Sequence, residues 1–249
     1  MKTKHKKFFK QHPKLSICLI ALFLIVAIGF YAYTQLFGDP NFGDPSANVP
    51  SVSLDDIPEF DGTSAYVYIN DNKPFFTEDE IVTESYEKYG ALDGLGRCTM
   101  CIACIGTDLM PTEDRESISQ VTPSGWVNAK YDFIDGKYVY NRCHLIGFQL
   151  TGENANRENL ITGTRYLNIE GMLPFENMIA DYLKENPENH VMFRVTPIYS
   201  GDNLVASGVL MEAWSVEDGG DGICFNVYAY NVQPGVIIDY ATGETRAES

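Results

Sequence analysis

The chain has 249 residues, a formal net charge of −16, and 45% hydrophobic and 12% aromatic residues. This composition excludes an intrinsically disordered chain and allows one medium domain with its own hydrophobic core. An excess of 34 Asp and Glu over 18 Lys and Arg argues against a broad basic surface for nucleic acid.

The charge is unevenly spread. Lys2, Lys4, Lys6, Lys7, Lys10 and Lys14 occupy residues 1–14 without a single acid. With 6 of the 18 basic residues there, the chain beyond residue 34 keeps 12 against all 34 acids, a formal −22. From Leu15 to Gly38, 24 consecutive residues carry no charge. A helix of about 20 apolar residues crosses a bilayer core. Lysines before the run and Asp39 after it predict a cytoplasmic segment 1–14, a transmembrane signal-anchor 15–37 and an extracellular remainder. A cleaved signal peptide, giving a secreted form, is the alternative. Its apolar region is usually shorter, and Gly29-Phe30-Tyr31-Ala32 is a poor small-residue cleavage site. Gly38-Asp39-Pro40 recurs as Gly43-Asp44-Pro45, and Pro, Ser and Asn continue to Pro58. Residues 38–59 therefore read as an extended linker, and 60–249 as the folded extracellular domain.

Within that domain, alternation over Ser64–Asn70 predicts a strand closed by the turn Asn70-Asp71-Asn72. Thr77 to Glu80 has the spacing of a capping box opening a short helix at Ile81. Gly90 to Arg97 is a glycine-rich loop. Lys130–Phe133 and Lys137–Tyr140, joined by Asp135-Gly136, predict a hairpin. Thr151 to Asn159 is an Asn-rich loop. A helix can start at Thr164, is interrupted by Gly171 and Pro174, and resumes over Phe175–Leu183 with apolar residues at helical spacing. Val191–Tyr199, Leu204–Trp214 and Ile223–Val232 are three strands joined by Gly-Asp turns. The acidic turn Glu217–Asp221 lacks the ligand alternation of a calcium loop and reads as a hairpin turn. The class is α+β with an antiparallel central sheet.

Cys98, Cys101 and Cys104 have the regular spacing of a metal or iron–sulfur run, but an oxidising compartment and an apolar setting favour buried thiols or disulfides. Histidine is scarce: only His144 and His190 lie in the domain. His190 follows Asn186-Pro187-Glu188-Asn189 and reads as an exposed loop residue. His144 ends a strand beside Arg142, a placement suited to a general base or to a half-buried structural histidine.

Tyr140-Asn141-Arg142-Cys143-His144-Leu145-Ile146-Gly147 resembles the Asp-Arg-Gly-His signature of the DNA/RNA non-specific endonucleases, which belong to the ββα-metal (His-Me finger) nucleases. The stretch from about Leu92 to Asp239 is similar to their secreted and membrane-anchored branch in Gram-positive bacteria, through Leu95-Gly96-Arg97, Pro123–Trp126, Asn159–Arg165 and Arg194–Pro197. The resemblance implies a ββα-metal finger within the domain and hydrolysis of DNA, with RNA left open as a second substrate and no protein partner. It assigns His144 to deprotonating the attacking water. It gives Asn168 to one divalent metal, Mg²⁺ with Mn²⁺ as a substitute, and Glu176 to steadying the metal's water shell. Arg142, Arg97, Arg165 and Arg194 become candidates for gripping phosphates, whose oxygens fit the guanidinium fork. The structural alternative for Asn168 is a helix cap, for Glu176 a solvated helix face, and for the arginines surface ion pairs.

Asn141 and Cys143 depart from the signature's Asp and Gly. A neutral Asn supplies no charge near His144, and Cys143 is free to pair with Cys98 or Cys224. These departures leave a second reading open, a catalytically impaired nucleic-acid-binding surface receptor of the same fold. Cys143 as a nucleophile beside His144 fits poorly, because neighbours in an extended chain point to opposite faces.

Overall fold

A computed structural model of the chain describes Val52 and residues 54–248. The predicted cytoplasmic segment, the signal-anchor and most of the linker lie outside the described residues. Among the described residues, no helix is long and apolar enough to cross a membrane.

The described residues form ten strands: β1 (Tyr66–Tyr68), β2 (Tyr86–Tyr89), β3 (Cys101–Ile105), β4 (Tyr140–His144), β5 (Leu160–Thr164), β6 (Val191–Ile198), β7 (Gly208–Ser215), β8 (Cys224–Tyr230), β9 (Val236–Ile238) and β10 (Thr245–Ala247). Six of them build one antiparallel sheet in the order β1-β8-β7-β6-β3-β2, while β4 pairs with β5 and β9 with β10. The short helix α1 (Phe148–Thr151) follows β4, and a π-helical segment Leu167–Met172 runs directly into α2 (Leu173–Glu185). The α+β class with an antiparallel sheet is as expected.

Strand side chains alternate between faces, and the sheet uses that alternation twice. Phe193 and Val195 of β6, Val209 and Met211 of β7, and Phe225 and Val227 of β8 form one buried cluster with Leu145, Leu167, Phe175, Ile179 and Leu183. The Phe175 ring meets those of Phe225 and Tyr66, each at 4.8 Å between centroids. Each such side chain contributes about 1.5–3 kcal/mol by leaving water. This face seats α2 and the β4–β5 pair.

The opposite face carries Arg194, and here the sequence expectation fails. Arg194 is fully buried, with Nε 2.8 Å from Glu212 of β7 and Nη1 3.0 Å from Glu80. Its guanidinium lies 4.6 Å above the Phe76 ring. The strand's period of two sets Arg194 away from α2, where it ties segment 75–80 to the sheet instead of reaching substrate. Glu80 is drawn into that pair, so Thr77–Glu80 closes as a turn with Thr77 N–H donating to Glu80 Oε2, and no helix follows.

The cysteine run is β3 together with the residues leading into it. Cys101 and Cys104 lie at odd and even positions and point to opposite faces: the Cys101 thiol donates to Glu158 O and the Cys104 thiol to Val82 O. All five cysteines of the described residues are free, and burial pushes the Cys98 and Cys104 thiols up to about 12. The predicted 130–140 hairpin shrinks to a bridge between Lys130 and Tyr138, because Tyr140 onward is claimed by β5. His190 is half-buried rather than exposed, with Nδ1 2.7 Å from Glu217. The 217–221 segment is a turn as expected, with Asp218 accepting from Gly220 N–H and Gly222 N–H.

Removing one member of a buried ion pair leaves an uncompensated charge. Arg194→Ala is therefore expected to cost about 3–5 kcal/mol in urea unfolding. A loss under about 1 kcal/mol, the size of a surface pair, would show that the cluster is not a structural tie.

Candidate active site

β4, β5 and the helix behind them form a ββα unit. In it, β4 pairs residue for residue with β5, from Tyr140 opposite Thr164 to His144 opposite Leu160. Pro174 has no N–H and its ring would crowd the carbonyl one turn back. The helix does not break there. It widens into the π segment, in which Leu173 N–H donates to Asn168 O. The expected interruption is thus a bulge that keeps Asn168 beside β4.

A cleft of about 800 Å³ opens over this unit. Its lining includes His144, Asn168, Glu176, Arg142 and Arg165, so five of the seven sequence candidates converge. Arg97 and Arg194 do not. Arg97 is bound to Asp93 at 2.7 Å, donates to the carbonyls of Gly201 and Asn203, and lies 4.4 Å over the Tyr199 ring. The tight turn at 93–97 commits its donors to the scaffold.

His144 is buried at the cleft wall. Its Nε2 lies 2.7 Å from the backbone carbonyl of Asn154. A carbonyl only accepts, so Nε2 carries the proton and Nδ1 is the free base. The Asn-rich loop makes this possible. The buried Asn159 side chain clamps Ile146, accepting from its N–H and donating to its O, both at 2.9 Å, and so fastens the loop to the residues just after β4. Burial pushes the His144 value down to about 4, with the Arg115 charge adding to the effect.

Glu176, on the first turn of α2, is also buried, and burial raises its carboxyl to about 7 against the weaker pull of Arg115 and Gln149. Its carboxylate rests against the backbone of Gly147. A Cβ there would sit 2.7 Å from Glu176 Cδ, so a side chain at 147 would displace the carboxylate. The two shifts act oppositely on the fold. The neutral His144 ring contributes fully above its unfolded value of 6.5, and that contribution is lost as pH falls through about 4. The neutral Glu176 carboxyl contributes fully below 4.5, and that contribution is lost as pH rises through about 7.

Arg142 donates to the carbonyls of Ser119 and Val121 and lies 4.3 Å over the Trp126 ring, which holds its charge at the cleft wall. Arg165 is paired at 2.7 Å with the exposed Asp135, an exchangeable surface contact. Cys143 pairs with neither Cys98 nor Cys224. It is fully buried and its thiol lies 3.2 Å from Asn168 Oδ1.

Two functional residues escaped the sequence reading. Arg115 lines the cleft, with Nη2 3.3 Å from His144 Nδ1. It sits in a long aperiodic loop, and the only clue was the scarcity of basic residues. Asn154 acts through its backbone, which no residue pattern reports.

His144, Asn168 and Glu176 thus share one cleft on a ββα unit. The chain belongs to the DNA/RNA non-specific endonuclease family, whose model matches residues 77–217. It is 31% identical over 117 residues to a curated deoxyribonuclease of Streptococcus dysgalactiae subsp. equisimilis, a match that covers 45% of this chain and 34% of that protein. The chain thus spans about a third of that relative's length. Its fold is similar to the crystal structure of NucA from Streptococcus agalactiae with magnesium ion bound, at a TM-score of 0.65 and 24% identity over 75% of this chain and 91% of that one. It is also similar to Sda1 nuclease with bound zinc ion, at a TM-score of 0.64 and 26% identity over 74% and 97%.

The buried setting of His144 has a spectroscopic consequence. Proton NMR of the full chain is expected to show the His144 Hε1 resonance titrating with a midpoint near 4. A midpoint near the ordinary 6.5 would contradict the burial of the ring.

Proposed function

We propose that the chain is a metal-dependent endonuclease that hydrolyses the phosphodiester bonds of DNA with little sequence preference, and of RNA as a second substrate. The observation that carries this reading is a neutral His144 with a fixed tautomer in one cleft with Asn168 and Glu176. In this reading the His144 Nδ1 takes the proton of the attacking water. Arg115 first has to leave Nδ1, and an incoming phosphate is the stronger partner for its guanidinium. Arg142, Arg115 and Arg165 then bear the charge on the phosphate oxygens. They touch backbone rather than base edges, which suits cleavage without sequence preference.

The donor set fits a hard divalent cation. Asn168 offers an amide oxygen and Glu176 a buried carboxylate, with no Lys or Arg in ion-pair contact with it among the described residues. Asn168 would hold the cation directly, and Glu176 through its water shell. Bound there, the cation would neutralise phosphate charge and stabilise the leaving oxygen. The oxygen donors favour Mg²⁺, with Mn²⁺ as a substitute. The magnesium of NucA and the zinc of Sda1 support a divalent ion in this fold. The lysine-rich segment 1–14 before the apolar run supports a membrane-anchored domain facing outward, with a cleaved, secreted form as the alternative.

Plasmid DNA incubated with the full chain is expected to be nicked and linearised with Mg²⁺ and left intact with EDTA. His144→Ala should slow cleavage by about 10²–10⁴-fold. Metal-independent cutting, or a His144→Ala variant as fast as the wild type, would contradict the assignment.

The −22 of the chain beyond residue 34 repels DNA at long range, so the grip is local. Three arginines imply that the logarithm of substrate affinity falls with the logarithm of salt at a slope no steeper than about −3 at fixed Mg²⁺. A slope of about −6 or beyond would require a basic tracking surface and would contradict a local grip.

A further inference from the structure

We propose that the buried Cys143 thiol positions the Asn168 side chain for cation binding, so that the metal affinity of the cleft depends on a residue that touches neither metal nor substrate. The inference rests on the reading of Asn168 as the metal-holding residue.

The Cys143 thiol lies 3.2 Å from Asn168 Oδ1 and donates to it. It cannot retreat, because the neighbouring strand is shaped around it. Cys143 stands opposite Ile161 in the β4–β5 register, and Asn141 stands opposite Gly163. A Cβ at Gly163 would sit 2.4 Å from Cys143 Sγ and 2.8 Å from its Cβ. The sulfur therefore fills the space that any side chain at 163 would need. It is held between the β5 backbone and the Asn168 amide.

The amide needs such a partner. The last torsion of an Asn side chain is broad and roughly two-fold, so an unheld amide turns its NH₂ as readily as its oxygen toward a neighbour. An NH₂ group repels a cation. An amide oxygen has two lone pairs, and one accepting the thiol leaves the other for a metal. The π segment keeps the Asn168 backbone next to β4, and Cys143 selects how the side chain is turned. A glycine at this position of the signature has no side chain to do so. Cys143 is thus a positioning residue acting through Asn168.

Mn²⁺ binding to the full chain, read from the EPR signal of free Mn²⁺ without nucleic acid, tests the proposal. Cys143→Ala is expected to weaken Mn²⁺ binding by about tenfold, and Cys143→Ser, whose hydroxyl can donate to the same oxygen, should stay within about a factor of two of wild type. In an Asn168→Ala background, Cys143→Ala should cost nothing further, because the thiol acts only through that amide. Should Cys143→Ala melt below the assay temperature, Cys143→Val fills the space without a donor and takes its place. Wild-type affinity in the Ala or Val variant, or a full additional loss in the Asn168→Ala background, overturns the proposal. If Asn168→Ala weakens binding while Cys143→Ala does not, only the role of the thiol fails. If Asn168→Ala binds Mn²⁺ as tightly as wild type, the metal assignment fails with it.

Discussion

The chemistry of the cleft depends on one hydrogen bond, from His144 Nε2–H to the backbone carbonyl of Asn154. It decides which ring nitrogen carries the proton and which keeps a free lone pair. It also holds the ring where burial keeps it neutral well below the ordinary histidine range. The bond is supported in turn by Asn159, whose side chain joins the loop to Ile146 through two bonds at 2.9 Å. The Asn-rich loop is therefore scaffolding for a tautomer. Without the clamp, His144 would still end β4, but only the Arg115 contact would distinguish its two nitrogens.

Electrostatics in this molecule is a matter of place rather than sum. Two of the chain's few cations serve structure: Arg194 on the far face of the sheet and Arg97 in the 93–97 turn. Arg142, Arg165 and Arg115 face the cleft: Arg142 is held by two backbone carbonyls, Arg165 meets the exposed Asp135, and Arg115 meets the His144 ring. Glu176, buried with its carboxyl raised to about 7, is only partly ionised at neutral pH, and a divalent cation beside it would favour its charged form. An overall negative field and a local positive grip are compatible, because the first is screened over a Debye length while the second acts in contact.

Much of this was legible in the sequence, for identifiable reasons. Strands β6 to β8 are long apolar runs separated by Gly-Asp turns, so they could be read as strands. Strand β3 could not, because a short run of Cys, Ile and Ala buried on both faces also has the spacing of a metal-ligand run. His144 was legible through its scarcity and its neighbours, as were Asn168 and Glu176 through the family resemblance. Arg194 was misread because its motif neighbours say nothing about face, whereas its position in β6 points it away from α2. Arg115 lies in a loop without periodicity, and its approach to Nδ1 is set by tertiary structure alone. The π segment was half visible: Gly171 and Pro174 signalled an irregularity, but not that the helix would widen rather than stop.

The most direct test of the governing bond is the protonation pattern of His144 itself. A long-range proton–nitrogen correlation spectrum of the full chain at neutral pH, without metal, resolves the two ring nitrogens. A neutral ring with the proton on Nε2 is the predicted result. A proton on Nδ1, or a doubly protonated ring, would mean that Asn154 does not set the tautomer and that the base has been assigned to the wrong atom.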